Sequence, residues 1–326
     1  MSALPTKRVI VDTDPGIDDA MTLLFLRSRA DVRIELITTV FGNGGVAVTT
    51  RNASYLARRF GIDAPIHEGA DTPLCMPRRT LATHVHGADG LGDTGVAEGT
   101  VADTASGGAA EAIIRLVRDN PGEISILALG PLTNLAHAIE LDEGIASLVR
   151  EVVVMGGAFG YSGRRGNVSP VAEANVANDP HAADIVLGSA WPVTMVGLDV
   201  TSHCILPHAA ARAIAEEGGA EGRLLWDISR NYEQLYRQHD GIDGCCIHDV
   251  AAAACLVVPE LFEPVNGPIR VATEGLAIGE TIQKPDSMTY PPSAWDDRPS
   301  QKACRTVDAT QLIALYVATV TGGMAV

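Results

Sequence analysis

The chain has 326 residues, of which 46% are hydrophobic and 20% are charged, so its composition is that of an ordinary soluble globular protein. Its formal net charge of −16 argues against a nucleic-acid partner and against an anionic membrane surface, because both require clustered lysine and arginine. The sequence contains no apolar run of about 20 residues, as a membrane span requires, and no secretory signal segment. We therefore expect a cytoplasmic protein with no membrane or nucleic-acid partner.

Apolar segments that are typical of buried strands alternate with helical patterns along most of the chain. The predicted strands are 8–12, 34–40, 124–129, 151–155 and 193–198. The predicted helices are 17–30, 46–60, 108–119, 132–140, 179–188, 207–217, 222–239, 248–257 and 308–320. Continuous apolar strands separated by helices indicate a parallel sheet that is covered on both faces. We predict a single α/β domain over residues 1–326, with a mostly parallel open sheet and an active site at the C-terminal ends of the strands.

The run DTDPGIDD at residues 12–19 places Asp12, Asp14, Asp18 and Asp19 between the first predicted strand and the first helix. Two unit charges about 4 Å apart repel by roughly 4 kcal/mol at an effective dielectric of about 20. A helix N-terminus offsets only ~0.3–1 kcal/mol of this for each acidic side chain. Helix capping therefore accounts for one or two of these aspartates, and the others indicate a bound cation.

A competing interpretation of this run is the Asp-x-Asp motif of haloacid-dehalogenase-type phosphatases, in which the first aspartate is a nucleophile. Asp12 and Asp14 fit that motif, whereas the following Pro15-Gly16 does not. A Mg²⁺-dependent phosphohydrolase with Asp12 as the nucleophile is therefore an alternative. An EF-hand loop is excluded, because its twelfth position would be Leu23 instead of the glutamate that Ca²⁺ needs there.

Three further segments place polar groups at a predicted strand end, in a loop and at a helix start. The turn after Leu129 leaves backbone carbonyls free to face a cation. Glu173 and Asn175, two residues apart, point the same way from an extended segment and suit a polyol such as a sugar. Asp249 can complete an oxygen-rich site, while the preceding His248 faces the neighbouring pocket as a proton donor. The plainer alternatives are an ordinary turn, a polar loop and a helix N-cap.

Two apparent motifs have simpler interpretations. Residues 90–95 satisfy G-x-G-x-x-G, but no strand precedes them, so we interpret them as a mobile glycine-rich flap and not as a dinucleotide site. The pair His84 and His86 has the form of a zinc motif, but no further ligands stand at zinc spacing. A histidine that lines a pocket is the favoured interpretation.

Seven segments in chain order resemble the nucleoside hydrolases, in particular the inosine–uridine-preferring group. They are DTDPGIDDA (12–20), TTVFGN (38–43), GPLTN (130–134), VMGG (154–157), AEAN (172–175), GLDVT (197–201) and HD (248–249). The resemblance extends from residue 8 to about residue 280. It implies a homodimer or homotetramer that hydrolyses ribonucleosides to ribose and free base, through an oxocarbenium-like transition state.

The resemblance also implies a role for each site residue. One Ca²⁺ would bind Asp14, Asp19, Asp249 and the backbone carbonyl of Leu129, and Asp14 would also take a proton from the attacking water. His248 would be the general acid that protonates the leaving base. The nucleoside would contact Asp18 and Asn175 through the ribose hydroxyls, Asn167 and Glu173 at the 5′ side, Asn43 and Met155 on the pocket floor, His86 near the sugar or base, and Tyr232 and Tyr236 over the base.

The sequence departs from the family pattern in segments 158–165, 240–246 and 284–300. The second of these lies beside the predicted base pocket, so the preferred base stays open. A nucleoside-binding protein that has lost its catalytic activity is the remaining alternative. The retention of His248 and of the aspartates argues against it.

Overall fold

The computed structural model describes residues 6–322 of the chain. Its strands, numbered in chain order, are β1 (Lys7–Thr13), β2 (Val32–Thr39), β3 (Ile66–Glu68), β4 (Ile124–Ala128), β5 (Glu151–Met155), β6 (Val193–Val196), β7 (Ile205–Pro207), β8 (Gly244–Cys246), β9 (Phe262–Gly267), β10 (Ile269–Val271), β11 (Thr281–Gln283) and β12 (Gln301–Val307). The main sheet has eight strands in the order β3-β2-β1-β4-β5-β6-β12-β9. Its neighbouring strands are parallel, except that β9 is antiparallel to β12.

The helices are α1 (Ile17–Arg27), α2 (Val46–Phe60), α3 (Thr83–His86), α4 (Ala109–Asp119), α5 (Thr133–Leu141), α6 (Ala174–Asn178), α7 (Pro180–Gly188), α8 (Leu198–Thr201), α9 (His208–Glu217), α10 (Gly219–His239), α11 (His248–Val257) and α12 (Ala309–Val320). Alternate residues of β1 enter two separate cores, with Val9 and Val11 in one and Ile10 in the other. Helices therefore cover both faces of the sheet, and the predicted α/β class is confirmed. Within residues 6–322, none of the helices combines the length and the apolar character that a membrane crossing requires.

The five predicted strands are all present, and they lie side by side as β2-β1-β4-β5-β6. The bounds predicted for β5 and α2 are those observed, whereas β6 ends at Val196 and Leu198 begins α8 instead. Three strands of the main sheet, β3, β9 and β12, were not predicted. The segment QKACRTV of β12 mixes charged and small residues, and it becomes a strand by pairing with the distant β6 and β9.

The strand order reverses between β1 and β4. The chain proceeds outwards from β1 through β2 to β3, and then returns to place β4 on the other side of β1. Open α/β sheets leave a crevice beyond the C-terminal ends of the strands at such a switch point. The backbone N–H of Leu129, directly after β4, donates to the carbonyl of Asp12 at 2.8 Å. The acidic run after β1 and the turn after β4 therefore meet at this crevice.

Asn134, in the first turn of α5, holds this edge of the sheet together. Its buried Nδ2 donates to Asp12 Oδ1 at 2.8 Å and to the carbonyl of Thr39 at 3.0 Å, while its Oδ1 accepts the N–H of Ala70 at 2.9 Å. The Oγ1 of Thr38 donates to the same oxygen of Asp12 at 2.6 Å. Burial raises the pKa of Asp12 to about 6, and these two hydrogen bonds oppose the rise. Asp12 thus has a structural role at the C-terminal end of β1, where it ties β1 to β2 and α5.

Segment 90–95 differs from the predicted flap. The carboxylate of Asp89 accepts the backbone N–H groups of Leu91 at 2.7 Å, Asp93 at 2.9 Å and Gly95 at 2.9 Å. Leu91 is fully buried. Gly92 has φ +76°, and a Cβ there would lie 2.3 Å from a backbone oxygen of α10. The glycines therefore permit a tight, bonded turn that packs against α10, because only a residue without a side chain fits.

We expect Asn134→Ala to lower the free energy of unfolding by roughly 2–4 kcal/mol, measured by urea denaturation. The substitution removes one of the two hydrogen bonds to the buried Oδ1 of Asp12, where only Thr38 remains as a donor, and it leaves the N–H of Ala70 without a partner. Such losses at buried groups cost ~1–3 kcal/mol each. The matched control is Asn231→Ala, which removes one hydrogen bond to the carbonyl of Gly92 from an exposed position. It should cost about 1 kcal/mol or less. Equal losses in the two variants would contradict the role given to Asn134.

Candidate active site

A cavity of about 820 Å³ opens at the C-terminal ends of the central strands. Most of the site residues predicted from the sequence line it. They are Asp18, Asn43, His86, Leu129, Met155, Asn167, Glu173, Asn175, Tyr232, Tyr236, His248 and Asp249. Asp14 and Asp19 are not among the lining residues; they are buried, at 1% and 0% exposed, and Asp19 is grouped with the lining residues Asp18 and Asp249. The fold thus brings together segments that are separated by more than 200 residues in the chain.

Asp18, Asp19 and Asp249 form a compact acidic group at the floor of the cavity. One carboxylate oxygen of each lies within 4.8 Å of the others, and all three side chains are buried. They belong to the first turns of α1 and α11, where backbone N–H groups favour negative charge. Burial raises the pKa of all three, and neighbouring carboxylates add to the rise for Asp18, which reaches about 7, and for Asp249. A cation at this position would relieve that repulsion.

Asp14, directly after β1, is buried beside this group. Its Oδ2 accepts the backbone N–H of Asn43 at 2.7 Å. Its Oδ1 is buried and has no hydrogen-bond partner among the described residues. A Cβ at Gly42 would lie 1.9 Å from Oδ2, and one at Gly130 would lie 2.8 Å from Oδ1. Only glycines at these two positions leave room for the carboxylate, whose pKa is raised well above normal by burial and by the charge of Asp19.

The backbone carbonyl of Leu129, a residue that lines the same cavity, lies directly after β4. It accepts a hydrogen bond from Asn175 Nδ2 at 2.7 Å, and the same nitrogen donates to the carbonyl of Met155 at 3.1 Å. Asn175 therefore bridges the ends of β4 and β5. Because a carbonyl oxygen carries two lone pairs, Leu129 keeps one for a further partner.

The ligand atoms around the floor suit a hard divalent cation. They are carboxylate and carbonyl oxygens, which Ca²⁺ and Mg²⁺ prefer to nitrogen or sulfur. The Oδ1 of Asp14, which has no hydrogen-bond partner among the described residues, is a free ligand atom of this kind. The compact group contains Asp18 where the sequence-based ligand set contains Asp14, and Asp19 and Asp249 belong to both sets. The geometry therefore leaves two carboxylates as candidates for one ligand position.

Glu173 lines the cavity, but its carboxylate oxygens accept hydrogen bonds from the backbone. Its Oε1 accepts the N–H of Asn175 at 2.9 Å, and its Oε2 accepts those of Gly157 at 2.9 Å and Val176 at 3.1 Å. Burial raises the pKa of Glu173, and these hydrogen bonds oppose the rise. Glu173 caps α6 and sets the position of Asn175. Asn167 is exposed at the rim, where its side chain is open to solvent.

His248 is held from both sides of its ring. Its Nδ1 lies 2.8 Å from Thr201 Oγ1, and its Nε2 lies 2.7 Å from the hydroxyl of Tyr236. That hydroxyl lies 3.3 Å from the hydroxyl of Tyr232. Burial lowers the pKa of His248 to about 3, so the ring is neutral and carries one N–H. Sequence reasoning gave Thr201 no role, because its contact exists only after α8 packs beside α11.

His86 lines the wall of the cavity beside Tyr232. Its ring stacks on that of Tyr232, with centroids 5.4 Å apart and planes inclined by 28°. Its Nδ1 accepts the backbone N–H of Ile17 at 3.2 Å, so the ring proton is on Nε2. Burial lowers the pKa of His86 to about 4. The ring is therefore neutral and can donate from Nε2 to a bound molecule.

Polar residues that sequence reasoning did not single out also line the cavity, at more exposed positions. They are Arg78, Arg79, Arg164, His239 and Asp240, and His84 of the dismissed zinc motif lies among them. Arg164 belongs to the longer segment 158–165, which is anchored by the carboxylate of Asp199. That carboxylate accepts the N–H groups of Phe159 at 2.7 Å and Tyr161 at 2.5 Å. No periodicity or motif marks Arg164 in the sequence, although its segment was noted as atypical in length.

The sequence matches known proteins over most of its length. A family model described as inosine-uridine preferring nucleoside hydrolase matches residues 9–314. The probable uridine nucleosidase 2 of Oryza sativa subsp. japonica is 39% identical, over 85% of this chain and 82% of its own length. The inosine-uridine preferring nucleoside hydrolase of Crithidia fasciculata is 34% identical, over 85% of this chain and 87% of its own length. The resemblance inferred from the seven motifs is thereby confirmed.

Solved structures agree with this. A plant nucleoside hydrolase has a TM-score of 0.91 at 35% identity, and the match covers 97% of this chain and 99% of that one. A purine-preferring ribonucleoside hydrolase from Gardnerella vaginalis has a TM-score of 0.87 at 26% identity, over 97% and 98% of the two chains. The chain belongs to the family of inosine–uridine-preferring nucleoside hydrolases.

Proposed function

We propose that this nucleoside hydrolase cleaves the N-glycosidic bond of ribonucleosides with the help of one bound Ca²⁺, giving ribose and free base. The proposal rests on one observation. Buried carboxylates form one end of the cavity, and His248 with its tyrosine partners forms the adjoining wall. The carboxylate end suits a cation and the ribose hydroxyls, and the aromatic end suits a planar base.

The cation would be held by Asp14, Asp19, Asp249 and the carbonyl of Leu129. The free Oδ1 of Asp14 and the second lone pair of Leu129 support this set. Ca²⁺ takes ~6–8 oxygen ligands, so water and ribose hydroxyls would complete the shell. When bound, such a cation supplies positive charge that lowers the pKa of water and keeps the surrounding carboxylates ionised.

Asp14 would also accept a proton from the water that attacks the anomeric carbon, because its carboxylate keeps acceptor capacity beyond the N–H of Asn43 and the cation. Asp18 and Asn175, which line the floor of the cavity, would hold the ribose hydroxyls. The negative charge of the floor would favour the oxocarbenium-like transition state. The remaining proposed nucleoside contacts are Asn43 and Met155 on the pocket floor, His86 near the sugar or base, and Asn167 and Glu173 at the 5′ side.

His248 would donate a proton to the leaving base. Because burial keeps the resting ring neutral, His248 would first take up a proton from solvent; the imidazolium would then pass a proton to the base, directly or through the Tyr236 hydroxyl 2.7 Å away, and return to neutral imidazole. Tyr232 and Tyr236 would pack over the base. Their rings lie 5.0 Å apart at 88°, an edge-to-face pair that presents both a ring face and a hydroxyl.

The phosphohydrolase alternative is not favoured. It requires Asp12 as a nucleophile, but one oxygen of Asp12 accepts hydrogen bonds from Thr38 and Asn134, and the residue is fully buried beneath the sheet edge. We retain two earlier expectations as proposals: a homodimer or homotetramer, which the family resemblance implies, and a cytoplasmic location, which the sequence composition suggested. Sedimentation of the purified protein would measure the subunit number.

We expect the purified protein to release reducing sugar from uridine or inosine in the presence of Ca²⁺. His248→Ala should lower kcat by about 10²–10⁴-fold, because general-acid catalysis contributes that much. The control is His137→Ala in α5, whose side chain is 42% exposed and pairs with Glu140, and which should leave kcat unchanged. No turnover of any ribonucleoside by the wild-type protein would contradict the proposed function.

We expect Ca²⁺ alone, measured by calorimetry and thermal unfolding, to bind and to stabilise the protein. A concentration 100-fold above Kd adds about 2.7 kcal/mol to the free energy of unfolding. Asp14→Asn and Asp249→Asn should abolish this gain. Asp142→Asn, which weakens an ion pair with Arg118 outside the cavity lining, should keep the gain in full.

The same titration decides between the two candidate ligands. Loss of Ca²⁺ binding in Asp18→Asn, together with normal binding in Asp14→Asn, would transfer the ligand position to Asp18. A protein that binds Mg²⁺ but no Ca²⁺ would contradict the proposed identity of the metal.

A further inference from the structure

An ion pair stands at the outer end of the cavity, opposite the acidic floor. Arg164 Nη2 lies 3.1 Å from Asp240 Oδ1, and both residues line the cavity. The two side chains are 37% and 34% exposed, whereas Asp18 and Asp249 at the floor are 5% and 4% exposed. Asp240 directly follows α10 and its N–H donates to the carbonyl of Tyr236 at 2.9 Å. The pair therefore stands one helical turn beyond the tyrosine that contacts His248.

The pair has hydrogen-bonding capacity to spare. Across residues 6–322, the contact between Nη2 and Oδ1 is the one side-chain hydrogen bond that either residue makes. The other N–H groups of the Arg164 guanidinium and the Oδ2 of Asp240 are therefore available to a ligand. A cationic donor next to an anionic acceptor presents two adjacent, opposite hydrogen-bonding groups to the cavity.

The position of the Arg164–Asp240 pair determines which part of a bound nucleoside it would contact. With the ribose on the carboxylate floor and the glycosidic bond beside His248, the base extends away from the floor. The edge of the base farthest from the ribose then lies at the outer end of the cavity, where Arg164 and Asp240 stand. This placement rests on the proposed function.

We propose that Arg164 and Asp240 determine base specificity by binding the adjacent carbonyl and ring N–H of uracil and hypoxanthine. Arg164 donates to the carbonyl oxygen, and Asp240 accepts the ring N–H. Uracil suits the pair especially well, because its N3–H has a carbonyl on each side. Cytosine and adenine carry an amino donor and an unprotonated ring nitrogen at the corresponding positions, so the ring nitrogen would face the Asp240 carboxylate without a proton between them. Unpaired polar groups of this kind are a strong basis for rejecting a substrate.

The test compares kcat/KM for uridine, cytidine and 3-methyluridine, in which a methyl group replaces the N3–H of uridine. In the wild-type protein, 3-methyluridine and cytidine should be worse substrates than uridine by about tenfold or more, since a hydrogen bond to a charged group contributes about that factor. Asp240→Ala and Arg164→Met should each lower the value for uridine by about tenfold. Asp240→Ala should change the value for 3-methyluridine by less than about threefold, because the bond that it removes is already absent there.

Two variants control for the change of charge. Arg165→Met removes the neighbouring arginine, which pairs with Glu280 at 3.7 Å, and Asp243→Ala removes an aspartate whose side chain is 77% exposed. Both should retain the preference for uridine.

Equal losses for all three nucleosides in Asp240→Ala would show that the pair only ties segment 158–165 to α10, and would overturn the inference while leaving the proposed function intact. A wild-type preference for cytidine that the variants abolish would overturn it as well. Failure of the wild-type protein to hydrolyse any nucleoside is the distinct result that defeats the proposed function.

Discussion

The constraint on which the structure depends is the burial of several carboxylates at the end of one strand. Asp12, Asp14, Asp18 and Asp19 all lie within 8 residues and are at most 5% exposed. An isolated buried charge is strongly unfavourable, so each carboxylate must have hydrogen-bond donors, a cation or a proton. Neighbouring elements supply the donors: α5 provides Asn134 to Asp12, and the turn after β2 provides a backbone N–H to Asp14. The carboxylate oxygens that these donors do not reach, such as Oδ1 of Asp14, are available to a cation.

The same constraint gives the cavity its polarity. At the floor, oxygen donors are packed so closely that glycines are needed beside Asp14. Farther out, the walls change to the aromatic rings of His86, Tyr232 and Tyr236, and at the solvent end to the Arg164–Asp240 ion pair. A molecule with a polyol at one end, a flat ring in the middle and a polar edge at the other end matches this succession. A nucleoside has that construction, and this agrees with the family to which the chain belongs.

Much of the fold was predictable because its central strands are apolar along their whole length. Strands buried on both faces leave a signal that needs no knowledge of their neighbours, and all five predicted strands occupy adjacent positions in the sheet. The edge strands β3 and β9, and β12 beside β9, lack that signal, because their residues are only partly buried and their pairing depends on distant segments. Segment 90–95 was misread for a related reason: its glycines satisfy a turn that packs against α10, a helix more than 100 residues away.

The sequence by itself determined the chemical character of the site, because acidic residues crowded after an apolar strand have few interpretations other than a cation site. Its ordered motifs also determined the family. Only the tertiary structure decided which partners, and therefore which role, each of these residues has. It placed Asp12 in the sheet edge, engaged Glu173 with three backbone N–H groups, and paired His248 with Thr201 and Tyr236. The physical reason is that a hydrogen bond depends on distance and direction between atoms, and these are set by packing between segments that the linear chain keeps far apart.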